Sequence, residues 1–191
     1  MNKKILILVL AAAILVIAVF ALPGGSPSVN LDDLAAKNPN LVEFVDRVKE
    51  VENREPEKDK EIEYYLELGL AWKSLADRTR DKDHYQKALE AYEKGIKASG
   101  RKNTVLLNNA GNMAVYLEDY KKAAEYYEES ISISPGDAES YIRLANLHQE
   151  YLKSSPEAII GIYDRGIARM LNPDILEQRK RMYLESIGVE E

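Results

Sequence analysis

The chain has 191 residues, enough for one domain of roughly 150 residues behind an N-terminal extension. It carries a formal charge of −6 and no cysteine, which excludes a disulfide framework and lipid attachment through a thiol. An acidic chain without a basic stripe also argues against nucleic acid as a partner.

The extension comes first. Ile5 to Leu22 is an unbroken apolar run, about 27 Å long as a helix and just able to cross a bilayer's hydrocarbon core. Lys3 and Lys4 precede it, and the first charges after it are Asp32 and Asp33. The positive-inside bias then leaves a short cytoplasmic tail and puts the rest on the far side of the cell membrane, as a single-pass protein. Residues 1–22 are expected to be this signal-anchor and 23–37 a linker, since Pro23-Gly24-Gly25-Ser26-Pro27-Ser28 has linker composition. The rival is a cleavable signal peptide with Val19-Phe20-Ala21 at the cleavage site, which would give a secreted domain. The run is longer than a usual signal core and has no polar region before that site, which favours the anchor.

Asn38–Pro39 predicts a helix start. Leu41, Phe44, Val45, Val48 and Val51 form one stripe over 38–55, closed by Pro56. Such a helix either packs on the helices downstream of it or folds back over them.

The rest reads as paired helices. Over 104–137, Leu107, Ala110, Gly111 and Ala114 fall at the 3–4 spacing of one helical face; Ala123, Tyr127 and Ser130 do the same, and Pro135 closes the unit. Gly111 and Ala123 are small at facing positions, and Tyr120 and Tyr127 supply the bulk beside them. Upstream, over 62–102, Tyr65, Leu68, Gly69 and Trp72 precede Tyr85, Ala88, Tyr92 and Gly95, with Gly100 in place of the closing proline. This copy holds a polar insertion around Ala76–Asp83, expected to extend the first helix and its loop. Downstream, over 138–173, Tyr141, Leu144, Ala145 and His148 precede a stripe from Ala158 to Met170, which predicts a longer turn and a longer second helix. Ser155–Pro156 opens that helix and Asn172–Pro173 closes the unit. Residues 174–191 predict a capping helix with Ile175, Leu176, Met182, Tyr183 and Ile187 on one stripe and Arg179–Arg181 on a wet face.

Period, order and residue size over 104–137 together resemble a tetratricopeptide repeat, with copies on both sides. The resemblance implies an all-α fold: a right-handed α-solenoid of about three helix–turn–helix repeats (62–102, 104–137, 138–173). It also implies that the first helices line a concave groove for a protein or peptide segment. Opposite the packing stripe lie Leu66 and Leu70, then Asn108, Asn109, Asn112 and Tyr116, then Arg143 and Asn146; these are the candidate groove residues. Carboxamides there suit an extended backbone, Arg143 suits a carboxylate, and the leucines suit an apolar segment at one end. Some family members grip a C-terminal carboxylate with five residues over three repeats. Asn109 and Arg143 match two of those places, but Leu66, Leu70 and Glu139 replace the others, which puts that grip in doubt.

No constellation for catalysis, cofactor or metal emerges. The two histidines, His84 and His148, lie in different repeats, and Asp81-Lys82-Asp83-His84 lacks the glycine and spacing of a calcium loop. It reads as turn and cap, and His148 as a packing residue. Two readings of function stand: a membrane-anchored adaptor or scaffold binding through its groove, or an assembly component, possible homo-oligomers included, using convex and terminal surfaces such as Tyr126, Met182 and Tyr183.

Overall fold

The computed structural model describes residues 30–189. The apolar run 5–22 and linker residues 23–29 lie outside them. Among the described residues no helix is long and apolar enough to cross a membrane.

Nine α-helices and no strand occur among the described residues. They are α1 (Leu31–Lys37), α2 (Val42–Glu52), α3 (Glu61–Thr79), α4 (Lys82–Ala98), α5 (Thr104–Tyr116), α6 (Tyr120–Ile133), α7 (Ala138–Glu150), α8 (Pro156–Ile167) and α9 (Asp174–Ser186), with a 3-10 turn at Pro39–Leu41. From α1 to α9 each α-helix packs on its successor, so the chain builds an all-helical solenoid of stacked pairs. The pairs α3–α4, α5–α6 and α7–α8 are the three repeats. Short polar side chains start most of these helices: Asp81, Asn103, Asp119, Asp137 and Ser155 each accept a backbone N–H of the first turn.

Two kinds of close approach hold the stack together, and both depend on small residues. Within a repeat, a tyrosine ring of the second helix lies against a glycine of the first. A Cβ on Gly69 would sit 2.3 Å from the Tyr92 ring, and one on Gly111 would sit 2.4 Å from the Tyr127 ring. Gly111 is therefore matched to Tyr127, rather than to Ala123 as its size suggests. Between repeats, the small residue lies on the second helix. Leu106 presses on Gly95, Leu176 presses on Gly166, and at the same phase Ser130 shares a 2.9 Å hydrogen bond with Ser140. These contacts sit in one continuous core from Val45 to Tyr183.

Several expectations need correction. Residues 31–37 of the anticipated linker are helical, with Leu31, Leu34 and Ala35 against the core and Lys49 paired with Asp32. The insertion in the first repeat lengthens α3 to 19 residues and leaves the loop tight, because Arg80 turns left-handed and its N–H caps Ala76 O at 2.7 Å. In the third repeat the turn is longer, as the sequence implies, but α8 is not: it stops at Ile167 after 12 residues, against 14 in α6. Bonds from Arg169 N to Gly166 O and from Met170 N to Ile167 O tighten the exit instead. Tyr126 and Tyr183, expected on open surfaces, are buried. Tyr126 reaches back to the previous repeat and donates to Glu93 Oε1 at 2.6 Å.

The N-terminal helix α2 packs on the first repeat. Val45, Val48 and Val51 are fully buried, Trp72 Nε1 donates to Glu52 Oε1 at 3.1 Å, and Arg47 and Arg54 both pair with Glu67. His84 is buried at the other end of α3, its ring 5.7 Å from that of Trp72 and its Nδ1 2.7 Å from Thr79 Oγ1. Asp81 performs the capping there, so His84 is a core residue rather than a turn residue.

Candidate functional site: the first-helix cleft

The first helices α3, α5 and α7 share one side of the solenoid, and a cleft of about 380 Å³ opens between them. Four of the candidate residues meet there: Asn112, Tyr116, Arg143 and Asn146. Lys73 enters from α3, and Tyr127 and Tyr151 form part of the wall.

Arg143 organises the centre. Its Nη1 donates to Asn112 Oδ1 at 2.6 Å, and its Nη2 pairs with Glu139 at 2.6 Å. Tyr127 OH donates to the same Asn112 oxygen at 2.8 Å, so the ring that fills Gly111's missing side chain also fixes the cleft's carboxamide. That oxygen is occupied, while the Arg143 Nε is buried without a hydrogen-bond partner among the described residues. Burial pushes the Tyr127 phenol well above its ordinary value, with Arg143 opposing the shift, so the hydroxyl stays a donor throughout the physiological range. Lys73 is tied to Asp77 at 2.6 Å.

Aromatic stacks stand at two corners. Tyr85 of α4 lies on Tyr116 with centroids 4.5 Å apart and planes 10° apart; Tyr120 of α6 lies on Tyr151 at 4.9 Å and 26°. Tyr116 and Tyr151 keep their outer faces open to solvent. Among the described residues no carboxylate lines the cleft, although the chain as a whole is acidic.

The other candidates do not join this cleft. Asn108 is buried between repeats, donating from Nδ2 to Ser140 Oγ at 3.0 Å, and its role is packing. Asn109 is half-buried beside it on α5. Leu66 packs partly into the core, and Leu70 is exposed one turn before Lys73. Glu139 neutralises Arg143, which removes the arginine from a free carboxylate grip. Sequence reasoning missed Tyr127 and Tyr151 as wall residues. Tyr127 reads only as packing, and Tyr151 lies just past the end of α7, beyond its helical face. His148 is half-buried with Nδ1 2.9 Å from Ser154 Oγ, outside the cleft. No group of acidic, histidine or cysteine side chains suited to a metal occurs among the described residues.

Comparison with known proteins bears on the fold. Residues 105–137 match the family model of the tetratricopeptide repeat, so α5 and α6 form a repeat of that kind. Two solved structures of MamA share the fold: one at TM-score 0.54 and 16% identity, covering 80% of this chain and 84% of that one. The other, MamA MSR-1 C2, has TM-score 0.51 and 16% identity, covering 84% and 86%. The TPR domain of Arabidopsis OM64 is also similar, at TM-score 0.42, 16% identity, and 62% and 98% coverage. No curated protein matches the sequence.

Proposed function

We propose that the chain is a non-enzymatic adaptor that holds an extended protein segment in the cleft between α3, α5 and α7. A tetratricopeptide-like solenoid is suited to protein–protein interaction as a class, and the observation that carries the specific reading is the cleft's chemistry. Asn112 through its Nδ2 and Asn146 through its whole carboxamide can meet a peptide backbone, two open tyrosine faces can take flat side chains, and Lys73 and Arg143, each held by a carboxylate, stand along the wall. The apolar run 5–22 would tether this adaptor to a membrane with the repeats on the extracytoplasmic side, where tethering raises the local concentration of a weakly bound partner.

A display library of extended peptides presented to the detergent-solubilised full chain tests the cleft. Enriched peptides should lose at least about tenfold in affinity with Arg143→Glu, roughly the cost of reversing a charge beside a desolvated contact. Equal binding to Arg143→Glu combined with Asn146→Asp, or no enrichment, would overturn the reading. Protease added from outside intact cells tests the topology: the repeats should be cut while the chain's membrane association survives alkaline extraction.

A further inference from the structure

The first cleft has a successor one repeat along. α9 occupies the place of a first helix: Leu176 presses on Gly166 just as Leu106 of α5 presses on Gly95, and α9 touches α7 directly as α7 touches α5. By that equivalence Asn146, Tyr163, Arg179 and Met182 stand where Asn112, Tyr127, Arg143 and Asn146 stand in the first cleft. The four line a second hollow of about 170 Å³, with Gln149 beside them. Asn146 belongs to the walls of both hollows, so the two adjoin along one face of the solenoid.

The second hollow differs from the first in its charge. Arg143 is neutralised by Glu139, one turn before it, but the residue one turn before Arg179 is Ile175. Arg179 is exposed and has no ion pair or side-chain hydrogen bond among the described residues. Burial raises the Tyr163 phenol and Arg179 opposes that shift, as Arg143 does for Tyr127, so the cation is felt inside the hollow. The far wall is Met182, 52% exposed, in place of a carboxamide. Among the described residues no carboxylate lines either hollow, in a chain of net charge −6. An uncompensated cation beside an open thioether is complementary to a carboxylate beside an apolar side chain.

We propose that the extended segment held in the first cleft continues across α9, where one of its Asp or Glu side chains meets Arg179 and a neighbouring apolar side chain covers Met182. The inference rests on the first cleft being a peptide site, and it adds the composition of the partner. Packed helices lie about 8–10 Å apart, a step that an extended chain covers in about three residues. Asn146 and Gln149 offer carboxamides to a backbone that passes through, which suits a side-chain carboxylate better than a chain terminus.

A pool of synthetic peptides, C-terminally amidated so that every carboxylate is a side chain, is selected on the detergent-solubilised full chain. Selected peptides should carry Asp or Glu next to an apolar residue. Exchanging that acid for its amide should weaken binding about fivefold, the upper end for a solvent-facing ion pair. Arg179→Glu should weaken the acidic peptide at least as much and leave its amide counterpart unchanged. Repeating the selection on Arg179→Glu should bring Lys or Arg to the same peptide position. Circular dichroism verifies the fold of the variant, and Arg179→Gln takes its place if it fails. Selected peptides with no acidic preference, or acidic peptides that bind Arg179→Glu as tightly as the unaltered chain, would overturn this proposal and leave the first cleft standing. Selection only from a parallel pool with free C-termini would overturn it in favour of a chain terminus. Peptide binding that disappears as the chain is concentrated, with growth in sedimentation, would assign the groove to a second copy instead. No selection from either pool would overturn the first cleft as well.

Discussion

Alanine at two glycines separates close packing from helix propensity. Gly111 and Gly161 both lie inside helices, α5 and α8. In isolation each exchange should stabilise by about 1 kcal/mol, the usual glycine-to-alanine difference in a helix interior. Around Gly161 a new Cβ meets nothing within 4 Å, so that gain should be realised. Around Gly111 it would fall 2.4 Å, 2.8 Å and 2.9 Å from three atoms of the Tyr127 ring. The ring cannot retreat freely, because it is 2% exposed and its hydroxyl is bonded to Asn112. Moving it by about 1 Å should cost 1–3 kcal/mol of overpacking. The net effect is then a loss of about 0–2 kcal/mol, against a gain of up to about 1 kcal/mol at Gly161. Urea unfolding followed by helical ellipticity measures both. A further variant, Gly111→Ala with Tyr127→Leu, should show coupling of about 1 kcal/mol or more, because the ring that the methyl strikes has gone. If Gly111→Ala stabilises as much as Gly161→Ala, the packing of α5 on α6 is misassigned and the repeat phase with it.

Acid should weaken the domain through its histidines. Burial lowers His84 below its ordinary 6.5, partly opposed by Asp81 and Asp83, and burial lowers His148 likewise. The unfolded chain therefore binds more protons between the depressed folded values and 6.5, so stability falls as pH drops below about 6.5. Thermal unfolding at stepped pH should show this slope, and His84→Gln should flatten it; an unchanged slope would remove His84 as its source. Asn108→Ala should cost about 0.5–1.5 kcal/mol by removing its buried bonds to Ser140, whose hydroxyl keeps Ser130 and Asp137 as partners, read as a lower urea midpoint. Asp119→Ala should cost about 1 kcal/mol by uncapping α6, while peptide binding stays unchanged.

The repeats are legible because side-chain size sets how near two helices come, and size is written directly in the sequence. The phase of Gly69, Gly111 and Gly95 follows from it, and the start of α8 is legible separately, from the cap residue Ser155 followed by Pro156. The features that the sequence conceals depend on partners distant along the chain. Tyr126 looks like a surface residue until Glu93 of the previous repeat is placed beside it. Asn108 and Asn112 are one helical turn apart and chemically identical, yet Ser140 draws one into the junction while Arg143 and Tyr127 hold the other at the cleft. The end of α8 at Ile167 is hidden for a different reason: nothing before Asn172–Pro173 breaks the pattern, and the early exit is made by backbone bonds that any side chain permits.

Site-specific photo-crosslinking from the intact chain in the cells that make it tests the binding cleft most directly. A probe at Asn146, exposed at the cleft, is compared with one at Glu125, exposed on α6. The cleft account predicts one discrete protein adduct from position 146, abolished by Arg143→Glu, and none from position 125. An adduct from position 125 alone, or one from position 146 that survives the arginine reversal, would contradict it.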